Sequence, residues 1–215
     1  KCRIKVVADR TNNTEDNSKE KENPVLNTAS VTLYYIDEYA KTYINPDASH
    51  VSSYQLAVSG TKQEVRSWDV EGDVSARNRI RVSDKGMVSM TGGYSYGDAP
   101  VKCKVVATLS DGTKLYSDVT GIYEVTEYVK DKITAFRNGY ITDDMTEYQK
   151  MDVVAKYIST EYDYQLYQEN WQKMIVTGGG DCMASREAVM MICQEIGLHA
   201  VACRDLGDHG ETVVQ

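Results

Sequence analysis

Two residues near the C-terminal end of the chain have the chemistry of a nucleophile and its general acid. Cys182 follows Asp181 and the glycines Gly178 to Gly180 and opens an apolar run, and His209 comes 27 residues later. A cysteine thiolate can attack a carbonyl carbon, and a nearby imidazole serves first as its counter-ion and then protonates the leaving group. The alternative is that Cys182 is a core thiol, since free cysteine is among the most buried residue types.

A helix is the element that would position Cys182. Apolar residues recur at helical spacing from Cys182 to Ile196, and Gly197 follows where a left-handed residue ends many helices. Unpaired N–H groups and the helix dipole stabilise an anion in the first turn, and the glycines let the backbone approach a substrate. Asp181 suits the N-cap, but its carboxylate disfavours a neighbouring thiolate unless it points away.

A β-hairpin is the element that would position His209. The runs "LHAVACR" and "HGETVVQ" are strand-like, and "DLGD" between them places Gly207 in a turn. His209 would then open a strand that crosses the helix of Cys182. We expect the two side chains to meet in space, with His199 and the thiols of Cys193 and Cys203 having structural roles.

Further helices are predicted before this segment. The run "TDDMTEYQKMDVVAKYISTEY" predicts a helix capped by residues 142–144. Its predicted buried face comprises Tyr148, Met151, Val154, Ala155 and Ile158. The run "KDKITAFRNGY" predicts a short helix or connector that ends at Gly139.

Short strand-like runs separated by turn residues fill positions 31–125, which is typical of a small β-sandwich. The runs "YQLAVSG", "VRSWDV" with Trp68, "SDKGMVSM" and "KCKVVATLSDG" resemble a group 2 bacterial Ig-like domain over about residues 28–128. Trp68 is expected to pack in the sandwich core. Residues 1–27 combine one strand with a polar linker, and the strand either ends a preceding Ig-like repeat or joins the same sandwich.

The C-terminal segment, about residues 143–215, resembles the transglutaminase-like superfamily of papain-type cysteine enzymes. The resemblance rests on Gly180-Asp181-Cys182, on Gly197-Leu198-His199-Ala200 after a helix of matching length, and on "HGETVV". It implies an α+β domain at 129–215 in which Cys182 is the nucleophile and His209 the general base. The fold class expected is therefore two domains, an all-β Ig-like sandwich followed by an α+β transglutaminase-like domain.

The resemblance also suggests residues for the substrate cleft, and the chain departs from the family pattern at several positions. Trp171 and Gln172 are candidates for the cleft wall or oxyanion site, although packing suits Trp171 better and the Cys182 N–H is the stronger oxyanion donor. Arg186 replaces a small residue, Glu211 replaces an aromatic, and no Asp or Asn follows on a next strand. We expect the domain to be incomplete at its C-terminus; otherwise another residue orients His209.

Composition narrows the function classes. The chain has 215 residues, a formal net charge of −8 and a pI near 5.0. Its negative charge disfavours binding to nucleic acid or to anionic membranes, because both would repel it. No apolar stretch is long enough for a membrane helix, and five scattered cysteines indicate no metal site. His50, after a Pro-Asp turn, is expected to be solvated.

The function expected is acyl transfer or hydrolysis of peptide or amide bonds without a cofactor, with hydrolysis first. The Ig-like resemblance implies a secreted or cell-surface protein acting on a peptide or protein substrate, cell-wall peptides among the candidates. The competing expectation is a non-catalytic surface adhesin or structural protein with a degenerate transglutaminase-like scaffold. Arg186, Glu211 and the missing third residue favour the latter, whereas the Cys182 and His209 pair disfavours it.

Overall fold

A computed structural model describes residues 22–92, 100–204 and 210–214. In this part the chain mixes α and β structure, with five α-helices, a short 3₁₀ helix at Glu38–Ala40 and several small sheets. The α-helices are α1 (Val74–Arg79), α2 (Glu124–Tyr140), α3 (Glu147–Glu161), α4 (Trp171–Thr177) and α5 (Cys182–Glu195). The strands are β1 (Val25–Leu26), β2 (Ser30–Tyr35), β3 (Ser53–Gln55), β4 (Val58–Ser59), β5 (Val65–Glu71), β6 (Ile80–Val82), β7 (Met87–Met90), β8 (Val101–Leu109), β9 (Lys114–Tyr123), β10 (Asp163–Tyr164), β11 (Gly179–Gly180), β12 (Ala200–Arg204) and β13 (Gly210–Val214).

Two sheets enclose the first core. One has four strands in the order β2-β9-β8-β5, in which β2 runs parallel to β9, and the other has three antiparallel strands in the order β3-β7-β6. Side chains from both sheets share one cluster, which we call the first core: Val31, Leu33, Leu56, Ala76, Ile80, Val88, Met90, Val101, Cys103, Val105, Val119 and Tyr123. Trp68 is partly buried against it, in agreement with its predicted packing role.

Helices and the C-terminal hairpin enclose the second core. Its buried members are Ala40, Ile44, Val125, Val129, Ile133, Phe136, Val154, Ile158, Trp171, Met174, Ile175, Val176, Ala184, Ala188, Ile192, Cys193, Ile196, Leu198 and Ala200. The segment 36–44, which follows β2 directly, also packs here through Ala40 and Ile44. The antiparallel strands β12 and β13 pack on α5, which also contacts α3 and α4.

The strand predictions between residues 31 and 125 are confirmed as elements, because alternating burial fits their apolar pattern. In β8, for example, Val101, Cys103 and Val105 are buried while Lys102 and Lys104 are exposed. The final run ends earlier than expected, since β9 stops at Tyr123 and α2 begins at Glu124.

The run 130–140, predicted as a short helix or connector, is helical and forms the second half of the longer helix α2. This 17-residue helix continues through Gly139, and it runs without interruption across the expected boundary between residues 128 and 129. Val125, Val129, Ile133 and Phe136 recur at helical spacing and are buried in the second core, which explains why the helix is one unit.

Helix α3 is confirmed, but two details of its prediction are wrong. It begins at Glu147 with Thr146 as N-cap, because the Thr146 side chain accepts from the Gln149 N–H while the Gln149 side chain reaches back. Residues 142–144 therefore do not cap it. Of the predicted face, Val154 and Ile158 are buried, whereas Tyr148 and Ala155 are exposed.

Most of the segment 1–27 lies outside the described residues, including its predicted first strand. Within the described ranges, no helix has the length and apolar character needed to cross a membrane.

Candidate functional site

Helix α5 begins at Cys182, as the sequence predicts. Asp181 caps it: one carboxylate oxygen accepts from the N–H groups of Met183 at 2.9 Å and Ala184 at 3.1 Å. The Asp181 side chain is buried and engaged with the helix start, where a carboxylate is stabilised by the dipole. Cys182 itself is partly exposed, so its sulfur does not belong to the second core.

Two of the three glycines before Cys182 are required by backbone conformation or packing. Gly178 has φ +87° and ends α4, its N–H donating to the Met174 carbonyl. A Cβ on Gly180 would lie 2.7 Å from Met174 and 2.8 Å from Ala184, and one on Gly179 would lie 2.6 Å from Gln165. The backbone conformation of Gly178 and the packing of Gly180 therefore account for these two glycines, whereas at Gly179 only the flexible, exposed Gln165 side chain would have to move.

One face of α5 borders a surface groove of about 340 Å³ that is shared with the hairpin. Its lining comprises Cys182, Ser185, Arg186 and Val189, which follow helical spacing, and Thr212 of β13. The thiol-bearing residue and strand β13 thus border the same space.

The predicted hairpin is confirmed in its strands. The pairing runs from Ala200 opposite Val214 to Arg204 opposite Gly210. Gly207 and His209 lie outside the described residues, so the meeting of Cys182 and His209 remains a prediction. The first residue of β13, Gly210, directly follows His209 in the chain.

Arg186 fastens the hairpin to α5. Its Nη1 donates to the Cys203 carbonyl at 3.3 Å, and the Thr212 hydroxyl donates to the Arg186 carbonyl at 2.8 Å. Its Nη2 lies 3.2 Å from a Glu187 carboxylate oxygen, and only 11% of the side chain is exposed. The buried Nε has no partner among the described residues. The sequence analysis noted Arg186 only as a departure from the transglutaminase-like pattern. Its position four residues after Cys182 places it on the same face of α5, and this spacing was the one sequence signal for its place in the groove lining.

The chain was also compared with known proteins. No protein-family model matches it, and no curated protein sequence does either. The transglutaminase-like and Ig-like resemblances therefore stay predictions, and the argument for a cysteine site rests on geometry.

The expected cleft residues Trp171 and Gln172 begin helix α4. Both are buried with 7% exposure, and neither borders the groove at Cys182. Trp171 packs in the second core, as its structural interpretation predicts. The Nε2 of Gln172 is buried with no partner among the described residues. An oxyanion role for either residue is not supported by the groove lining, whereas Cys182, whose N–H is the other candidate, does border the groove.

An exposed apolar loop lies beside the start of α5. Tyr164, Leu166 and Tyr167 are 67%, 63% and 86% exposed, and Tyr167 has a φ of +68°, a conformation that costs energy for an aromatic residue. The Gln168 carbonyl accepts from the Asp181 N–H at 3.0 Å, which holds the loop against the residue before Cys182. Three bulky side chains therefore face solvent near the candidate nucleophile.

The other thiols differ from Cys182 in their surroundings. Burial raises the pKa of Cys193 to about 11, in line with its predicted core role, and burial together with Asp73 raises the pKa of Cys103 to about 11. Cys203 is partly exposed rather than fully in the core. Throughout the described residues, no cluster of three or more His, Cys, Asp or Glu could hold a metal ion.

Proposed function

We propose that this protein is a transglutaminase-like cysteine enzyme, preceded by an Ig-like sandwich, that hydrolyses or transfers acyl groups of peptide or amide bonds. One observation carries the proposal: Cys182 opens α5, is partly exposed, and borders a groove shared with β13, the strand that directly follows His209. The two sheets around the first core and the helices around the second support this division of the chain.

The reaction follows from the chemistry of the pair. The Cys182 thiolate attacks the carbonyl carbon and forms a tetrahedral adduct whose oxyanion is stabilised by the Cys182 N–H and the dipole of α5. The carbon–nitrogen bond breaks as the His209 imidazolium protonates the departing amine, which leaves a thioester. Water, deprotonated by the neutral imidazole, then attacks the thioester, releases the acid and returns the thiol. A second amine in place of water would give transfer instead.

The surroundings of Cys182 favour a peptide substrate. The groove is open on the surface, so it suits an extended chain better than a small molecule that must be enclosed. Next to the helix start, Tyr164, Leu166 and Tyr167 offer exposed apolar surface for substrate side chains. By the Ig-like resemblance we propose that the protein acts outside the cell or at its surface, on protein substrates or cell-wall peptides.

The experiment uses an activated acyl ester, p-nitrophenyl acetate, with mass spectrometry of the intact chain and its peptides. We expect an acetyl group on Cys182, release of one p-nitrophenolate per chain in a first burst, and slower turnover. Cys182→Ser should abolish the burst, and His209→Ala should slow it by about a hundredfold, the scale of a lost general acid–base group. The matched control Cys203→Ser, which changes another partly exposed thiol, should leave the burst unchanged. Equal labelling of Cys203 and Cys182 would contradict the proposal.

A second candidate function is a non-catalytic surface scaffold with the same fold. The observation that favours it is Arg186, whose side chain occupies the groove lining beside Cys182 and serves to fasten the hairpin. A scaffold would show acetylation of Cys182 without turnover and without dependence on His209.

A further inference from the structure

His50, which the sequence predicts to be solvated, is only partly exposed, and the reason points to a second site. The His50 ring stacks on Tyr34 of β2, with centroids 3.6 Å apart and planes 2° from parallel. Its Nδ1 lies 2.5 Å from the Glu124 carboxylate, at the first residue of α2. Only 26% of the His50 side chain and 11% of the Glu124 side chain are exposed. The pairing joins residues 74 positions apart, so no local sequence pattern could show it.

The backbone around His50 holds the ring in place. The His50 N–H donates to the Asp47 carbonyl at 2.8 Å, and the Tyr34 N–H donates to the Val51 carbonyl at 2.9 Å. The loop is thus fastened on both sides of the histidine. Because a carboxylate only accepts hydrogen bonds, Glu124 places the ring proton of a neutral His50 on Nδ1. The Nε2 of that tautomer is an acceptor, and no described residue forms a hydrogen bond with it.

A surface pocket of about 500 Å³ lies against this pair, within the size range of small-molecule sites. Both carboxylates of the lining are engaged, since Glu124 accepts a hydrogen bond from His50 and the Glu38 carboxylate lies 2.5 Å from the Lys41 ammonium. A strongly charged ligand would therefore have to compete with partners that these groups already have. The remaining polar residues of the lining all carry hydroxyl groups: Tyr34, Tyr35, Ser52, Ser53 and Ser89.

Apolar surface completes the lining. Ile36, Pro46 and Met90 border the same pocket and can cover the carbon-bound faces of a ligand. Hydroxyl groups that both donate and accept, carboxylates that already have partners and a few apolar contacts match a neutral polyhydroxyl compound. We propose that this pocket binds a neutral sugar of disaccharide size, with one ligand hydroxyl donating a hydrogen bond to His50 Nε2. The site lies apart from Cys182 and does not rest on the function proposed above.

Nuclear magnetic resonance of the imidazole groups tests the proposal directly, because the chain has three histidines and hence few signals. The probes are maltose, cellobiose and N,N′-diacetylchitobiose, with glucosamine and glucuronic acid as charged counterparts. We expect the neutral His50 ring to carry its proton on Nδ1, and its signals to shift saturably with at least one neutral disaccharide. The His199 signals should stay in place.

Two matched variants sharpen the test. Glu124→Gln should weaken sugar binding by about tenfold, because it removes the charge that orients the ring. Glu127→Gln, which changes another first-turn carboxylate of α2 outside the pocket lining, should leave binding unchanged. The proposal is overturned if His50 carries its proton on Nε2, if none of the three disaccharides shifts His50, or if either charged sugar shifts it more strongly. These results need only the wild-type chain, so they stand even if Glu124→Gln fails to fold.

Discussion

The first core lies between two sheets whose strands repeat one pattern of burial, whereas the second core joins elements that a few single residues hold in position. In β8 buried and exposed residues alternate from Val101 to Val105, and Val106, Ala107 and Leu109 are buried as well, so many contacts share the stabilisation. Around α5, by contrast, Asp181 caps the helix, Gly180 allows its close approach to Met174, and Arg186 fastens the hairpin. The candidate nucleophile lies among these residues, so changes that affect the site also affect the stability of the second core.

The largest expected effects are losses of stability that differ between the two cores. Phe136→Ala should lower the free energy of unfolding of the second core by about 3–5 kcal/mol, and Leu33→Ala should lower that of the first core by about 2–5 kcal/mol, since both side chains are almost fully buried. Each core contains or contacts one of the two tryptophans, Trp171 in the second and Trp68 beside the first. Urea unfolding followed by fluorescence, in Trp68→Phe and Trp171→Phe backgrounds, measures each core in turn.

The comparison predicts that each alanine variant shifts the transition of its own tryptophan more than that of the other. Equal shifts at both tryptophans would mean that the two cores unfold as one cooperative unit, and the contrast drawn between them would not hold for stability.

Arg186→Met should have the next largest effect. It keeps most of the side-chain volume but removes the donor to the Cys203 carbonyl, and losing such a partly buried hydrogen bond costs about 1–2 kcal/mol. We expect faster hydrogen exchange in β12 and β13, by about tenfold or more, with little change in β8 and β9. Mass spectrometry of the exchanged peptides measures this. The exposed Arg77 on α1 provides the control, and Arg77→Met should change exchange nowhere. If hydrogen exchange in β12 and β13 is unchanged in Arg186→Met, Arg186 does not fasten the hairpin to α5.

Removing the helix caps should change the free energy of unfolding by a smaller amount, and by different amounts in the two regions. Asp181→Ala should cost about 1–2 kcal/mol, because the buried carboxylate accepts two N–H groups of a 14-residue helix. Asp73→Ala should cost less, since Asp73 accepts one bond, from Ala76, at the start of a six-residue helix. Asp181→Ser, which keeps a capping oxygen, should recover most of the loss. Urea unfolding measures all three, and a larger cost for Asp73→Ala than for Asp181→Ala would refute the ranking.

The smallest effect concerns two glycines with open space around them. A Cβ on Gly139, inside α2, meets nothing within 4 Å, so Gly139→Ala should stabilise the chain by about 0.5–1 kcal/mol. Gly112 is equally open but has φ +88° in the turn between β8 and β9, so Gly112→Ala should destabilise by about 1 kcal/mol. Thermal unfolding measures both variants. Effects of the same sign would show that backbone conformation does not decide the outcome.

The elements that sequence reasoning predicted well are those whose pattern is local. The alternation in β8, the Asp111-Gly112 turn, and the helix that starts at Cys182 after an Asp181 cap all follow from neighbours in the chain. Prediction failed where distant residues decide. Helix α2 begins at Glu124, earlier than predicted, because Val125 and Val129 pack in the second core. Tyr148 is exposed because α3 turns another face inward.

The sites show the same division. The position of Cys182 at a helix start was predictable, because caps and glycines mark such starts in sequence. The roles of Arg186 and His50 were not, since their partners Cys203 and Glu124 lie 17 and 74 residues away. A buried arginine and a paired histidine look in sequence like ordinary surface residues, and only the tertiary contacts distinguish them.

The pH dependence of Cys182 alkylation tests the central claim most directly. Iodoacetamide would be applied to the wild-type chain, to His209→Ala and to the matched control His199→Ala, with mass spectrometry separating the five thiols. If Cys182 and His209 form a thiolate–imidazolium pair, Cys182 reacts fastest, its rate profile has a midpoint well below about 8.5, and only His209→Ala raises that midpoint. If Cys182 reacts no faster than Cys203, or responds equally to both histidine variants, the pair does not exist and the enzyme proposal is wrong.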